Sequence, residues 1–164
     1  LLIGALLAAS AMALTGCQSI QPYKGQKVND GFLVALTEGP QRNDRFTSPD
    51  LTIDYRWVRR GNELQLAGKA EFMPWVRHCC TLVHEFNLIL FFADAQGAIL
   101  EQRWIAIPPS NDPEERVPIN EKLSLPQGTA GMAFGYSGQA RDISGAGDDR
   151  GGGEIPFWQI PVGP

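Results

Sequence analysis

The residues best suited to chemistry are concentrated in one short stretch. His78, Cys79 and Cys80 are followed by His84, and this group holds both histidines of the chain and two of its three cysteines. Thiolate sulfur and imidazole nitrogen suit zinc or copper, and four such ligands would complete a tetrahedral shell. The stretch therefore raises the hypothesis of a metal-binding or redox site built from His78, Cys79, Cys80 and His84.

Two other interpretations of the cysteines stay open beside the metal site. Adjacent residues of an extended strand face opposite ways, so Cys79 and Cys80 can both join His84 only through a turn, which Pro74 permits. The spacing matches no zinc motif. A disulfide between Cys79 and Cys80 would close a strained eight-membered ring. We nevertheless favour it, because free thiols rarely persist in an oxidising compartment. The third interpretation is two unrelated cysteines, one buried and one half exposed.

The chain carries no recognisable catalytic signature. There is no Gly-x-Ser-x-Gly, and both histidines lie beside the cysteine pair. A nucleophile formed by Cys80 and His84 would lack any family signature, and an oxidising environment would disable it. The acidic pairs Glu114-Glu115 and Asp148-Asp149 lack the spacing of a calcium loop and are typical of solvated charges. We therefore expect a protein that is not an enzyme.

An apolar run at the start of the chain indicates where the protein lives. Leu1 to Gly16 is uncharged and closes on Leu14-Thr15-Gly16-Cys17. A run of this length that ends in small residues is typical of a secretory signal and is short for a permanent membrane span. The last four residues resemble the lipobox of bacterial lipoproteins. That resemblance implies cleavage before Cys17 and acyl chains, such as palmitate, on Cys17; two or more chains anchor a protein stably.

The same resemblance implies a location. In that family a residue other than Asp after the cysteine, here Gln18, usually means release to the outer membrane, if the source has two membranes. The chain begins at Leu1 without Met or a basic residue, and we interpret this as a truncated start. We expect a cell-envelope protein whose partners are the membrane, through its lipid, and another envelope component. No cofactor is expected beyond the covalent lipid on Cys17.

Composition excludes some functions and favours one folded unit. The 164 residues carry 14 basic and 18 acidic side chains, and the longest basic cluster is Arg59-Arg60, so nucleic acid is not an expected partner. The 18 Gly and 12 Pro residues favour short elements joined by turns. We divide the chain into a signal segment (1–16), a flexible tether (17–30) and one β-sandwich domain (31–164).

Period-two alternation predicts most of the strands. Residues 52–59 place Ile53, Tyr55 and Trp57 on one face, and Gly61-Asn62 turns the chain into a hairpin. Shorter strands are predicted at 32–36, 117–125, 131–139 and 155–160, with polar connections at 41–50 and 142–154. Seven or eight such strands predict an all-β fold, an immunoglobulin-like antiparallel β-sandwich.

The strongest strand signal covers residues 82–107. It predicts a central strand that is covered on both faces and carries Phe86 and Leu90 inward, then a type I turn at 94–97 and a return strand. The pattern Phe-x-x-x-Leu-Phe-Phe-x-Asp-x-x-Gly resembles a hairpin of small bacterial extracytoplasmic β-sandwich domains of the FxLYD type. That resemblance implies the same sandwich fold.

The tryptophans divide into two predicted groups. Trp57 and Trp104 have the inward parity of their strands, so we expect them in the core. Trp75 and Trp158 adjoin less regular segments near prolines, so we expect them to be partly exposed and to offer a surface to a partner.

Overall fold

Nine strands form two antiparallel sheets in the computed structural model, which describes residues 22–108, 110–142 and 153–163. The sheets pack face to face, which confirms the predicted all-β sandwich. The strands are β1 (Val34–Ala35), β2 (Arg42–Thr47), β3 (Leu51–Arg60), β4 (Glu63–Phe72), β5 (Leu82–Ala93), β6 (Ile99–Ala106), β7 (Val117–Ser124), β8 (Gly131–Arg141) and β9 (Ile155–Gln159). A short helix, α1 (Pro74–Cys79), joins β4 to β5, and a 3-10 turn (Asp30–Phe32) precedes β1.

The first sheet has the strand order β2-β3-β4-β7. The predicted hairpin is β3–β4, and Ile53, Tyr55 and Trp57 all face the core. Gly68 pairs with Tyr55, and a Cβ atom on Gly68 would come 2.8 Å from the Cα of Tyr55, so only glycine fits there. β7 lies at the edge of the sheet, as predicted from Pro118.

The prediction of a polar connection at residues 41–50 is wrong, because these residues include β2. This strand pairs with β3 along six residues, and its side chains are mostly exposed. The sequence of β2 shows no apolar alternation. An edge strand does not need it, because backbone hydrogen bonds to the neighbouring strand can hold it in place. Its anchors are Phe46, which packs against the core, and Arg42, whose guanidinium lies 5.6 Å from the ring centre of Trp57.

The second sheet has the order β1-β8-β5-β6, with β9 also paired to β8. β5 is central, as predicted, and is buried on both faces. Its inner face carries Leu88, Leu90 and Phe92, and its outer face carries Ile89 and Phe91 in a second apolar cluster. The predicted strand at 32–36 is shortened to the 3-10 turn and β1.

The segment before β1 covers part of this outer face, so the predicted tether is wrong for residues 22–30. The ring of Tyr23 packs edge-on against Phe91 at 5.7 Å, and Val28 is 1% exposed. The backbone N–H of Gly25 donates to the carbonyl of Ile99 at 2.8 Å. A few apolar anchors and backbone bonds hold a segment whose composition is mostly polar. Residues 17–21 lie outside the described residues, as does 143–152 of the predicted loop.

No helix in the described ranges combines the length and the apolar character that crossing a bilayer requires.

Candidate functional site

The two adjacent cysteines lie where α1 gives way to β5. Pro74 occupies the first turn of α1, where its missing N–H costs nothing, and Cys79 is the last helical residue. Cys79 and Cys80 are joined by a disulfide in the structure. The side chain of Cys80 is buried in the core, whereas Cys79 is exposed. The end of α1 therefore supplies the turn expected between Cys79 and Cys80.

The histidines do not complete a metal site with these sulfurs. Within the three described ranges, no group of three or more His, Cys, Asp or Glu side chains could hold a metal ion. His78 is exposed on the last turn of α1, and Nε2 of His84 lies 3.6 Å from a carboxylate oxygen of Glu154. Sulfur atoms bonded to each other are not thiolate ligands. The geometry thus holds Cys79 and Cys80 together and leaves the four residues without a common centre.

The acidic pairs have separate outcomes. Glu114 forms an ion pair with Arg77 at 3.3 Å, which agrees with a solvated surface charge. Asp148 and Asp149 lie outside the described residues.

Trp75 and Trp158 are both exposed, as predicted, but they do not form one surface. The indole N–H of Trp75 donates to the carbonyl of Pro49 at 3.0 Å, and its ring meets Phe157 edge-on at 6.4 Å. Phe157 belongs to the core, and Trp158 follows it on β9, so Trp158 points to the opposite face of the sheet. Trp75 is half covered at the rim of the core, and Trp158 stands on the outer face.

The prediction that Trp104 lies in the core is wrong, whereas Trp57 is buried as predicted. Leu88 pairs with Ala106 and the next residue, Ile89, pairs with Trp104, so Ile105 is an extra residue in β6. Ile105 and Ala106 both belong to the core. This bulge changes the parity of the strand, and it turns Trp104 to the outer face with 72% of its surface exposed.

A set of exposed apolar side chains therefore lies on the outer face of the second sheet. We call Trp104, Ile107 and Trp158 the tryptophan face. Ile107 follows the inward Ala106 and is 78% exposed, and Trp158 is 65% exposed. Trp104 and Ile107 could not be assigned to this face from the sequence, because residues 104–107 are apolar at every position and alternation alone does not locate the bulge.

The strands between these side chains present small or buried residues. Trp104 pairs with the buried Ile89, which pairs in turn with Gly135 of β8. A Cβ atom on Gly135 would lie 3.2 Å from a ring carbon of Pro161, so the C-terminal segment crosses the sheet there. Trp158 pairs with Ser137, which is further along β8. The C-terminal segment therefore covers part of the sheet between Trp104 and Trp158.

The outer face of the first sheet is polar by contrast. Two shallow cavities of about 570 and 660 Å³ lie over the centre of the sheet, where the small side chain of Ala67 leaves room between larger ones. Several of the charges around them are paired. Nε of Arg45, for example, lies 2.5 Å from the carboxylate of Asp54, and this hydrogen bond lowers the pKa of Asp54. Such a surface suits a polar ligand without a large net charge.

A buried hydrogen-bonded group connects the two sheets on the core side. Tyr136 of β8 is fully buried, and its hydroxyl lies within hydrogen-bonding distance of Ser48 and Asp50, beside the start of β3. Burial raises the pKa of Tyr136, so the phenol stays protonated as a donor. No local sequence pattern indicates this contact, because Tyr136 is 86 residues from Asp50 and 88 residues from Ser48 along the chain.

Comparison with known proteins gives no match: no protein-family model, no curated protein and no solved structure is similar to this chain.

Proposed function

We propose that this protein is a bacterial envelope lipoprotein, a β-sandwich held at a membrane by lipid on Cys17 that binds or scaffolds another envelope component without catalysis. The observation that carries the proposal is Leu14-Thr15-Gly16-Cys17 at the end of the uncharged run from Leu1. A signal segment followed by a lipidated cysteine sends a protein to the membrane surface. Gln18 favours the outer membrane, facing the periplasm, where two membranes exist.

The start of the described domain supports a short connection to the membrane. Pro22 is the first described residue, and the segment that follows it is bonded to the second sheet. Five extended residues reach about 18 Å at most, so lipid on Cys17 would hold the sandwich close to the bilayer. The domain in this proposal lies beside the membrane and does not stand off on a long tether.

The polar outer face of the first sheet supplies the binding surface in this proposal. It lies on the opposite side of the sandwich from the segment that begins at Pro22, so it stays accessible when the domain is anchored. The β5–β6 hairpin, residues 82–107, resembles extracytoplasmic domains of the FxLYD type, which also favours an envelope location.

Fractionation and cross-linking test the proposal together. The protein and its Cys17→Ser variant are expressed in a bacterium, and envelopes are separated by density after lysis. The parent should sediment with membranes and be released by detergent, whereas the variant should not follow the membrane fraction. In-cell cross-linking through a photoreactive residue at Asn120, in the polar cavities, should capture a discrete envelope component. If the parent and the Cys17→Ser variant fractionated alike, the lipid anchor on Cys17 would be contradicted.

A second candidate function is a periplasmic redox protein that uses Cys79 and Cys80, the two members of the predicted group His78, Cys79, Cys80 and His84 that the structure joins. The disulfide beside an exposed Cys79 favours this candidate. Elemental analysis and a thiol count on the purified protein separate the two functions. Stoichiometric zinc or copper in the purified protein would contradict the binding role. A disulfide that a periplasmic oxidoreductase reduces and reoxidises would support the redox function in its place.

A further inference from the structure

We infer that the tryptophan face is a membrane-docking surface, with Trp104, Ile107 and Trp158 seated in the headgroup region of the bilayer that holds the lipid of Cys17. This inference deepens the proposed function and rests on its lipid anchor. It adds an orientation: the second sheet faces the membrane, and the polar face of the first sheet faces away.

The chemistry of the three side chains fits a bilayer surface. Each exposes more than half of its area, although these are among the largest apolar residues of the chain. Indole combines a broad apolar ring with one N–H donor, and tryptophan is enriched at the boundary between lipid and water for this reason. Single exposed apolar residues need no explanation, whereas three large ones on one side of the sandwich are typical of a contact surface.

The two tryptophans lie on two edge strands of the second sheet. Trp104 lies on β6 and Trp158 on β9, and β5 and β8 separate them in the sheet. Three strand spacings place the two tryptophans about 14 Å apart, so they form two separate points of contact. Ser137 between them presents a small side chain, and Gly135 lies under Pro161, so the two indoles stand on either side of the C-terminal segment.

The start of the described chain identifies the occupant of this face. Tyr23 packs on Phe91, which is two residues along β5 from Ile89, the partner of Trp104. Two residues of a strand span about 7 Å, so the segment enters the fold beside the tryptophan face. Cys17 can then lie no more than about 18 Å from Pro22. Lipid at that distance brings this face of the sandwich to the bilayer.

The opposite side of the sandwich is a poor match for lipid. Its outer face carries paired charges such as Arg45 with Asp54 and Lys69 with Glu71. Burying these pairs against a membrane would cost desolvation of each charge. Only the second sheet offers apolar side chains to the membrane near the anchor, among the residues that the structure describes.

Quenching by brominated lipid tests the inference. The lipidated protein is reconstituted into vesicles of phosphatidylethanolamine and phosphatidylglycerol, with and without bromine on the acyl chains near the headgroup. The parent should lose tryptophan emission in brominated vesicles, because two of its four tryptophans lie at lipid depth. The Trp104→Ser/Trp158→Ser variant should lose almost none. Trp75→Phe is the matched control, and its quenching should equal or exceed that of the parent.

The outcomes distinguish failure of the docking surface from failure of the lipid anchor on Cys17. Mass measurement of the same samples reports whether lipid is attached. A lipidated, vesicle-bound parent without quenching would overturn the docking surface and leave the anchor intact, and so would equal quenching in the double variant. A parent without lipid would overturn both. A photoreactive residue at position 158 that captures a protein and not lipid would make this face a protein interface and overturn the inference. Should the serine variant unfold, the Trp104→Phe/Trp158→Phe variant replaces it.

Discussion

The hydroxyl group of Tyr136 donates a hydrogen bond of 2.8 Å to Oδ2 of Asp50. The contact connects β8 of the second sheet to the residue before β3 of the first, inside the sandwich. Ser48 lies 2.9 Å from the same hydroxyl and also closes the β2–β3 turn by donating to the carbonyl of Leu51. One buried phenol thus ties a turn of one sheet to the central region of the other.

Tyr136→Phe should therefore destabilise the domain with little change in packing. The ring stays, but Asp50 and Ser48 lose their partner in a partly buried place, which should cost roughly 1–2 kcal/mol. Tyr23→Phe is the control, because the Tyr23 ring packs on Phe91 at a partly exposed site. Urea unfolding of the protein that begins at Gln18 measures both. Equal stabilities for the two variants would show that the Tyr136 bond contributes nothing.

The inner face of β5 should dominate core stability. Phe86 and Leu90 are buried, and Phe86 meets Phe72 edge-on at 5.0 Å, so either substitution to Ala should cost roughly 2–5 kcal/mol. Glu85→Ala should cost far less, because the Glu85 side chain is exposed and its hydrogen bond from Gln139 is exposed as well. Its positive φ of 52° strains Ala and Glu alike. If Glu85→Ala lowered the free energy of unfolding as much as Phe86→Ala or Leu90→Ala, the assignment of Phe86 and Leu90 to the core face would be contradicted.

Much of the sandwich could be predicted from the sequence because alternation is a local signal. The β3–β4 hairpin follows from apolar residues at every second position and a Gly-Asn turn, and the central place of β5 follows from apolar residues on both parities. The burial of Trp57 follows from the same rule. Each of these elements needs only neighbouring residues to define it.

The wrong predictions concern segments whose structure depends on contacts with residues that are distant in the sequence. β2 has an exposed, polar sequence and exists because β3 offers an edge. Tyr23 and Val28 hold a polar segment only because the outer face of β5 is apolar. The bulge at Ile105 reverses the face of Trp104 in a run without polar residues. The tryptophan face could not be derived without the bulge at Ile105, whereas the disulfide between Cys79 and Cys80 is the favoured interpretation of the sequence.

Acid should weaken the domain partly through Glu71. Its carboxylate accepts a hydrogen bond from Lys69 at 2.7 Å and lies 2.7 Å from Nε of Arg116, and these contacts lower its pKa below the ordinary 4.5. A lowered folded pKa gives stabilisation that is complete above the unfolded pKa and is lost as pH falls through the folded pKa.

Glu71→Gln should accordingly destabilise the protein at about pH 7, by less than about 1 kcal/mol because the pairs are partly exposed. The difference from the parent should shrink towards zero near pH 3, since both proteins then carry a neutral side chain at this position. Urea unfolding at several pH values measures the difference. A deficit that stays constant with pH would show that Glu71 acts through packing.

The cysteine pair should contain no free thiol. Non-reduced protein that begins at Gln18 should not react with a thiol reagent, and its mass should rise by two hydrogens on reduction. The Cys79→Ser/Cys80→Ser variant should still fold with a small loss of stability, because the closed loop is the shortest the chain can form. Two reactive thiols in a folded, metal-free parent would contradict the disulfide. A large loss of stability on chelation would restore the metal site.

The anchor on Cys17 is tested most directly by the mass of the N-terminal peptide from membrane-extracted protein. The account predicts a peptide that begins at Cys17 and carries a diacylglycerol and a third acyl chain, and predicts that Cys17→Ser removes this species and leaves an uncleaved precursor. A mature parent that is cleaved elsewhere, or whose Cys17 carries no lipid, would contradict the proposed lipoprotein.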